Sequence, residues 1–275
     1  MKISALKNQI LLKKSFLCIG LDIDLEKVHA SIKATEDPLF EFSKAIIDST
    51  AAYAVAYKPN IAFFETYGSQ GMASLKRVMD YLNKNHPEIF TIADAKRGDI
   101  GNTATRYAKA YYETYNFDSI TVAPYMGKDS VEPFLNFEEK YAILLALTSN
   151  EGSSDFQIQK VGSQLFYEKV IQTSSQWKGS DRLMYVVGAT KANAIKGIRN
   201  LIPDAFLLIP GVGVQGGSLA EVAESGLNQD VGLLVNSSRG IIYASTDTDF
   251  ASKARDAAYD LQKQMQIILE KKRLI

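Results

Sequence analysis

The feature that most constrains this chain is a series of eight short, nearly continuous apolar segments separated by stretches with helical spacing. The segments cover residues 16–22, 52–59, 89–96, 119–125, 141–149, 183–190, 206–213 and 231–238. Short, uniformly apolar runs are typical of strands that are buried on both faces. Between them apolar residues recur at helical intervals, as they do after the capping pair Asp37-Pro38 at Leu39, Phe42, Ile46 and Ile47.

Eight strands that alternate with helices predict an α/β protein with a parallel sheet. A length of about 250 residues is typical of the (β/α)₈ TIM barrel, and a doubly wound open sheet is the alternative. The chain has no Ser-, Gly- or Pro-rich linker and no repeat beyond the βα alternation. We therefore predict a single (β/α)₈ TIM barrel domain over residues 1–275, with a mobile loop at residues 150–164, where the chain is polar and partly Gly/Ser-rich.

Charge balance and cysteine content narrow the classes of function. The chain has 31 basic and 31 acidic side chains, which argues against a nucleic-acid binder that relies on bulk electrostatics. The single cysteine, Cys18, fits a reducing compartment, and neither His29 nor His86 has a second ligand nearby, so no metal is expected. No apolar segment approaches the ~20 residues of a membrane span, and no signal peptide is recognisable. We expect a cytoplasmic protein with no nucleic-acid or membrane partner.

Polar side chains follow six of the eight predicted strands. They are Asp22, Lys58, Asp94 with Lys96, Thr148 with Ser149, the segment 211–217, and Asn236 to Arg239. The carboxyl ends of barrel strands are where catalytic residues lie. One polar residue at a strand end is ordinary solvated surface, whereas six strands that direct polar groups to one rim indicate a site.

The most unusual of these segments is FTIADAKRGDI, residues 90–100, in which a buried strand ends in two acids and two bases. Asp94 and Lys96 are two residues apart, so on a strand they face the same side. Lys58 on the preceding strand and Asp99 in the following loop would complete an alternating chain of ammonium and carboxylate groups. A structural salt-bridge cluster is one interpretation. A preorganised electrostatic site is the other, because buried ion pairs rarely stabilise a core more than apolar packing does.

The segment GVGVQGG, residues 211–217, matches the G-x-G-x-x-G fingerprint of dinucleotide folds. It follows the seventh strand rather than opening a first βαβ unit, and no acidic residue ends the next strand. A phosphate site is the better interpretation, because barrels use the loops after strands seven and eight for phosphate. Backbone N–H groups of the glycines and the Arg239 guanidinium would bind it. Glycines that serve only tight turns are the alternative.

Residues 94–99, Asp-Ala-Lys-Arg-Gly-Asp, resemble the D-x-K-x-x-D signature of the orotidine 5′-phosphate decarboxylase family. The resemblance spans residues 16–243 in order. It includes Gly20-Leu-Asp22, Lys58-Pro-Asn, Thr103, Ser149, Pro210 to Gly217 and Arg239. The chain departs from the pattern at Ser238, where compact members often have glycine, and its length is similar to that of the longer bacterial branch.

The resemblance implies a homodimeric carboxy-lyase that converts orotidine 5′-monophosphate to UMP and CO₂ in de novo pyrimidine biosynthesis, without metal or organic cofactor. By position it implies a charged tetrad of Lys58, Asp94, Lys96 and Asp99, with Asp99 shared across the subunit interface. It assigns the ribose to Asp22 and Lys58, with Thr103 assisting across the interface, the pyrimidine to Ser149, and the phosphate to Gln215, Gly216 and Arg239.

The chemistry explains why charged side chains would be needed. Loss of CO₂ from C6 leaves a carbanion with no adjacent electron sink, which most decarboxylases obtain from a cofactor. Here the Lys96 ammonium would stabilise the developing charge and then protonate C6, with Asp94 orienting it. Three alternatives stay open: a Mg²⁺-dependent sugar-phosphate decarboxylase or epimerase, a Schiff-base aldolase, and a nucleotide-binding barrel without activity.

Overall fold

The structure is a computed structural model that describes residues 1–212 and 217–275, with the backbone alone at residues 191–193. Within these residues eight parallel strands follow one another around a closed barrel in chain order. They are β1 Leu17–Leu21, β2 Ala56–Pro59, β3 Phe90–Arg97, β4 Ser119–Val122, β5 Tyr141–Leu147, β6 Leu183–Val187, β7 Leu207–Pro210 and β8 Leu233–Ser237. The predicted (β/α)₈ barrel is confirmed. Each strand lies within its predicted segment, except that β3 continues one residue further.

The helices in the described part of the chain are α1 Ile3–Lys13, α2 Ala30–Lys33, α3 Pro38–Thr50, α4 Ile61–Glu65, α5 Gly68–Asn85, α6 Gly101–Lys109, α7 Glu132–Leu135, α8 Ser153–Phe156, α9 Phe166–Ser174, α10 Ala192–Leu201, α11 Leu219–Gly226, α12 Arg239–Ile242 and α13 Phe250–Lys271. A π-helical turn, Ala110–Thr114, continues α6. Helix α3 begins where its sequence predicts, since Asp37 accepts a hydrogen bond of 3.1 Å from the backbone N–H of Phe40. No helix in the described ranges is long and apolar enough to cross a membrane.

The chain divides into two compact units. The first holds Met1–Ala95, Glu113–Asp118 and Ser237–Ile275, and the second holds Lys96–Tyr112 and Ser119–Asn236. A single barrel domain over the whole chain therefore stays a prediction.

In the first unit, β1 pairs in parallel with β2, and β2 pairs with β3. The register sets Gly20 of β1 opposite Lys58 of β2, and beyond the strand end Asn60 bridges to Asp94. Helices α3 and α13 pack beside these strands, with the buried rings of Phe42 and Phe250 stacked at 5.2 Å. Burial of a side chain of this size stabilises the fold by roughly 1.5–3 kcal/mol. The pairing thus delivers polar side chains from three strands to one end of a well-packed unit.

In the second unit, β4 to β8 pair in parallel, each with the next. The segment after β5, residues 150–164, is the one that the sequence predicts to be a mobile loop. It contains α8 and a short antiparallel hairpin of Lys160–Val161 with Gln164–Leu165. The sequence did not predict this helix and hairpin, because a four-residue helix and two-residue strands are too short to leave a periodic pattern. The mobility of the segment stays a prediction.

Candidate active site

Lys58 lies near the end of β2 and is only 5% exposed. Its Nζ donates a hydrogen bond of 2.6 Å to Asp94 Oδ2 and lies 4.0 Å from Asp22 Oδ1. The three side chains meet because the parallel register brings the carboxyl ends of β1, β2 and β3 together. The expected Lys58–Asp94 neighbour pair is present.

Opposing effects act on the Lys58 ammonium. Burial lowers the pKa of Lys58, but the charges of Asp94 and Asp22 outweigh burial and raise that pKa above its ordinary value. The neighbouring Cys18 of β1 is buried, and its burial raises the pKa of the thiol to about 12. The end of these strands therefore carries a charged ammonium between carboxylates. The nearby Cys18 thiol stays protonated and is not a nucleophile.

Ser238 holds the carboxylate of Asp22 from the side of α12. The Ser238 hydroxyl lies 2.7 Å from Asp22 Oδ2 and 3.0 Å from the carbonyl oxygen of Gly20. The other carboxylate oxygen, Asp22 Oδ1, is buried and has no hydrogen-bond partner among the described residues. A buried acceptor without a partner is unfavourable, so Oδ1 is suited to accept a hydrogen bond from a ligand hydroxyl. The sequence places Ser238 among the polar residues after the eighth strand and marks it as a departure from the family pattern, but it does not predict this contact.

Tyr243 fixes the backbone that follows β1. Its hydroxyl accepts a hydrogen bond of 2.6 Å from the Asp24 N–H and donates one of 3.1 Å to the carbonyl oxygen of Asp22. Burial raises the pKa of Tyr243 to about 12, so the hydroxyl stays a donor. The sequence offered no signal for this role, because Tyr243 and Asp24 are 219 positions apart.

Lys96, near the end of β3, is exposed and has a left-handed backbone with φ of 47°. Its N–H donates a hydrogen bond of 2.9 Å to Thr121 Oγ1. Such a φ is uncommon outside glycine and persists only where surrounding contacts fix it. The two-residue alternation of an extended strand does not apply at a left-handed residue, so the shared side expected for Lys96 and Asp94 stays a prediction.

Arg97, for which sequence reasoning gave no role, anchors the segment that follows Lys96. Its Nη2 donates a hydrogen bond of 2.9 Å to the Tyr111 hydroxyl. Its guanidinium also lies 5.1 Å from the ring centroid of Tyr107 and 5.6 Å from that of Tyr111. The segment that carries Asp99 and Thr103 is thus held at both ends. The sequence signal that could have indicated this role of Arg97 is the run of tyrosines in the following helix.

Asp99 and Thr103 belong to the segment that follows β3. Asp99 is half-buried and accepts a hydrogen bond of 2.7 Å from the N–H of Ile100, while Thr103 is exposed in the first turn of α6. Ile100 is 45% exposed, and on the loop after β4 Tyr125 is 83% and Met126 51% exposed. These three exposed apolar side chains, Ile100, Tyr125 and Met126, are together called the apolar rim below.

The other predicted site residues lie at the ends of later strands. Ser149 follows β5 and is exposed. Gly188, after β6, approaches it so closely that a Cβ there would lie 2.7 Å from the Ser149 nitrogen. Arg239 is the exposed first residue of α12. Gln215 and Gly216 lie outside the described residues.

A closed parallel barrel with an ammonium–carboxylate cluster at its carboxyl strand ends defines a class, the barrel enzymes whose chemistry lies at that end. Comparison with known proteins narrows the class to a family. A model of the family described as Orotidine 5′-phosphate decarboxylase / HUMPS matches residues 15–254. The chain therefore belongs to the orotidine 5′-phosphate decarboxylase / HUMPS family.

Individual relatives agree with this assignment. A protein of Flavobacterium johnsoniae named orotidine 5′-phosphate decarboxylase is 61% identical, over 97% of this chain and 98% of the relative. One of the same name from Porphyromonas gingivalis is 51% identical, over 98% of each chain. The solved structure of Leishmania donovani OMP decarboxylase is similar with a TM-score of 0.84 and 35% identity, over 98% of this chain and 99% of that one.

Proposed function

We propose that this chain decarboxylates orotidine 5′-monophosphate to UMP and CO₂, the carboxy-lyase step of de novo pyrimidine biosynthesis. The observation that carries the proposal is the buried Lys58–Asp94 ion pair at the carboxyl strand ends of a chain of this family. Relatives that match nearly its whole length bear the name of this activity. We further propose that the enzyme works in the cytoplasm as a single barrel domain.

Asp22 and Lys58 would bind the ribose. The unpartnered Oδ1 of Asp22 is an acceptor for a ribose hydroxyl, and the Lys58 ammonium, 4.0 Å away, is a donor to the same region. Because Asp94 also holds Lys58, the ammonium keeps its position when a ligand binds. Such preorganised groups need little rearrangement at the moment of reaction.

Lys96 would perform the proton chemistry. The bond between C6 and the carboxylate breaks, CO₂ leaves, and the electron pair stays on C6. The Lys96 ammonium stabilises that charge and transfers a proton to C6, after which water returns a proton to the amine. A positioned general acid contributes roughly 10²–10⁴-fold and electrostatic stabilisation roughly 10²–10³-fold. Asp94 would orient Lys96, and no metal or organic cofactor would take part.

Ser149 would contact the pyrimidine, and Arg239, with Gln215 and Gly216, would bind the phosphate. The close approach of Gly188 supports the first assignment, because it fixes the backbone at Ser149. The exposed guanidinium of Arg239 supports the second, because arginine binds phosphate through two parallel hydrogen bonds. Phosphate is remote from C6, so its binding energy can be used for positioning.

A second copy of the chain would complete each site. Asp99 and Thr103 lie beside the apolar rim, and exposed apolar side chains of this kind mark association surfaces. We propose a homodimer in which the partner's Asp99 and Thr103 reach the substrate.

The test of the activity is the ultraviolet absorbance of orotidine 5′-monophosphate mixed with purified protein in EDTA. Loss of the orotate chromophore with UMP as product is expected. Lys96→Ala should abolish it, with Lys84→Ala, a change at an exposed lysine elsewhere, as the matched control. Unchanged absorbance, or a strict Mg²⁺ requirement, would overturn the proposal, as would equal turnover by wild type and Lys96→Ala.

Mixing two inactive variants tests the shared site. Lys96→Ala and Asp99→Asn each destroy both sites of a homodimer. In a mixed dimer one site receives Lys96 from one chain and Asp99 from the other, so random mixing should restore about one site in four. No recovery from a mixture shown to exchange subunits would contradict the sharing of Asp99.

A further inference from the structure

Ser238 connects two subsites that the proposed function treats separately. It immediately precedes Arg239, proposed for the phosphate, and its hydroxyl contacts Asp22, proposed for the ribose. We propose that Ser238 is a positioning residue that orients the Asp22 carboxylate for the ribose. This inference rests on the proposed role of Asp22 and gives Ser238 a role that the resemblance does not assign.

The geometry of the hydroxyl carries the inference. Ser238 Oγ has one hydrogen and two acceptors within reach, Asp22 Oδ2 at 2.7 Å and the Gly20 carbonyl oxygen at 3.0 Å. A hydrogen bond to a carboxylate is roughly twice as strong as one to a neutral acceptor, so Asp22 is the favoured partner. The contact fixes Oδ2 and thereby determines where Oδ1 lies.

The force that Ser238 opposes comes from Lys58. Its ammonium is 4.0 Å from Asp22 Oδ1, too far for a hydrogen bond but close enough for strong attraction in a buried site. Without the Ser238 hydroxyl, the carboxylate can turn and bond directly to Lys58. Asp22 would then compete with Asp94 for the Lys58 ammonium. Lys58 would in turn compete with the ribose hydroxyl for Asp22 Oδ1.

Only the side-chain torsions of Asp22 are left for Ser238 to control. Tyr243 already fixes the backbone, since its hydroxyl bonds the Asp22 carbonyl oxygen and the Asp24 N–H. Ser238 also immediately precedes Arg239, so the residue that orients the Asp22 carboxylate is next to the proposed phosphate ligand.

The experiment measures the binding of UMP and of 2′,3′-dideoxyUMP by calorimetry. Ser238→Ala should weaken UMP binding about tenfold, the effect of one hydrogen bond to a charged group, and change dideoxyUMP binding less than twofold. Ser238→Thr keeps the hydroxyl and should restore UMP binding. In an Asp22→Asn background, Ser238→Ala should cause no further loss. The matched control is Ser252→Ala, because Ser252 is exposed and its hydroxyl bonds the backbone of Asp249.

The outcomes separate the two proposals. Equal losses for both nucleotides, a loss that Ser238→Thr does not restore, or no loss at all would overturn the positioning role of Ser238. Wild type that binds neither nucleotide would overturn the proposed function and the role of Asp22 with it.

Discussion

Two cations that are largely removed from water, one in each compact unit, are compensated by different partners. Lys58, in the first, is surrounded by the carboxylates of Asp94 and Asp22. Arg199, in the second, donates hydrogen bonds to backbone carbonyl oxygens. The five acceptors, at 2.6–3.2 Å, are Gly226, Ile202, Pro203, Ala205 and Gly232.

The two environments shift the pKa in opposite directions. The carboxylates raise the pKa of Lys58 against the effect of burial. Burial lowers the pKa of Arg199 to about 10, and the opposing effect of the Asp204 charge is smaller than that of burial. Carbonyl dipoles satisfy donors without supplying net negative charge. A cation among carboxylates can therefore exchange partners with a ligand, whereas a cation among carbonyls ties the chain together.

The positions of the two cations agree with this division of roles. Lys58 is at the carboxyl end of β2, where barrels carry their chemistry. Arg199 donates hydrogen bonds to the carbonyl oxygens of Ala205 and Gly232, which lie just before the amino ends of β7 and β8. The amino end of the strands is the end of a barrel that serves stability.

The largest expected effect is on activity. Lys58→Met should reduce kcat/KM at least about 10³-fold, because it removes a proposed ribose donor and breaks the buried ion pair with Asp94. Arg199→Met should leave kcat/KM within about twofold at 15 °C. Steady-state decarboxylation of both purified variants measures this. A large loss of kcat/KM for Arg199→Met in folded protein would contradict the assignment of Arg199 to stability alone.

The second effect is on stability. Arg199→Met should lower the free energy of unfolding by about 3 kcal/mol, since it leaves several partly buried carbonyls without donors. Urea unfolding at fixed protein concentration measures the change, and the exposed Arg255→Met is the matched control. Equal stability of the Arg199 and Arg255 variants would mean that water replaces the lost hydrogen bonds.

A smaller effect tests the shape of the cation. Arg199→Lys keeps the charge but loses the planar fork, so it should cost roughly 1–2 kcal/mol of the unfolding free energy. The same urea experiment applies. A cost as large as that of Arg199→Met would show that the number of donors matters and the charge does not.

The smallest effect is on the pH dependence of stability. The pKa of Lys58 is raised by folding, so its stabilisation is present below about pH 10 and is lost as pH rises through the folded-state pKa. The pKa of Arg199 is lowered, so above about pH 10 its contribution becomes more favourable as pH rises. Between pH 9.5 and about 11 the stability gap between wild type and Lys58→Met should narrow, and that for Arg199→Met should widen. Stability gaps that change in the same direction with pH for both variants would contradict opposite pKa shifts of Lys58 and Arg199.

The barrel was predictable because its evidence is local. Eight apolar segments of strand length fix the strand number, and the position of Lys58 directly after one segment predicts a charge at a strand end. The Lys58–Asp94 pair followed because consecutive parallel strands are neighbours. The contact between Ser238 and Asp22 joins residues 216 positions apart, and no period or motif encodes which hydroxyl faces which carboxylate.

Other parts of the site were unpredictable for different reasons. The left-handed backbone of Lys96 contradicts the preference of its residue type, so only tertiary contacts explain it. The carbonyl partners of Arg199 come from the backbone, and backbone groups carry no sequence signal. The roles of Asp99 and Thr103 depend on a second chain and stay predictions.

The burial of Cys18 has a practical consequence for spectroscopy. With its pKa raised to about 12 and no exposure to solvent, the thiol is closed to maleimide dyes while the protein is folded. The chain thus behaves as a cysteine-free scaffold without any engineering. One cysteine introduced at the exposed Lys84, which is not part of the apolar rim, will carry a fluorophore selectively, and energy transfer between labelled chains can then follow subunit exchange in real time.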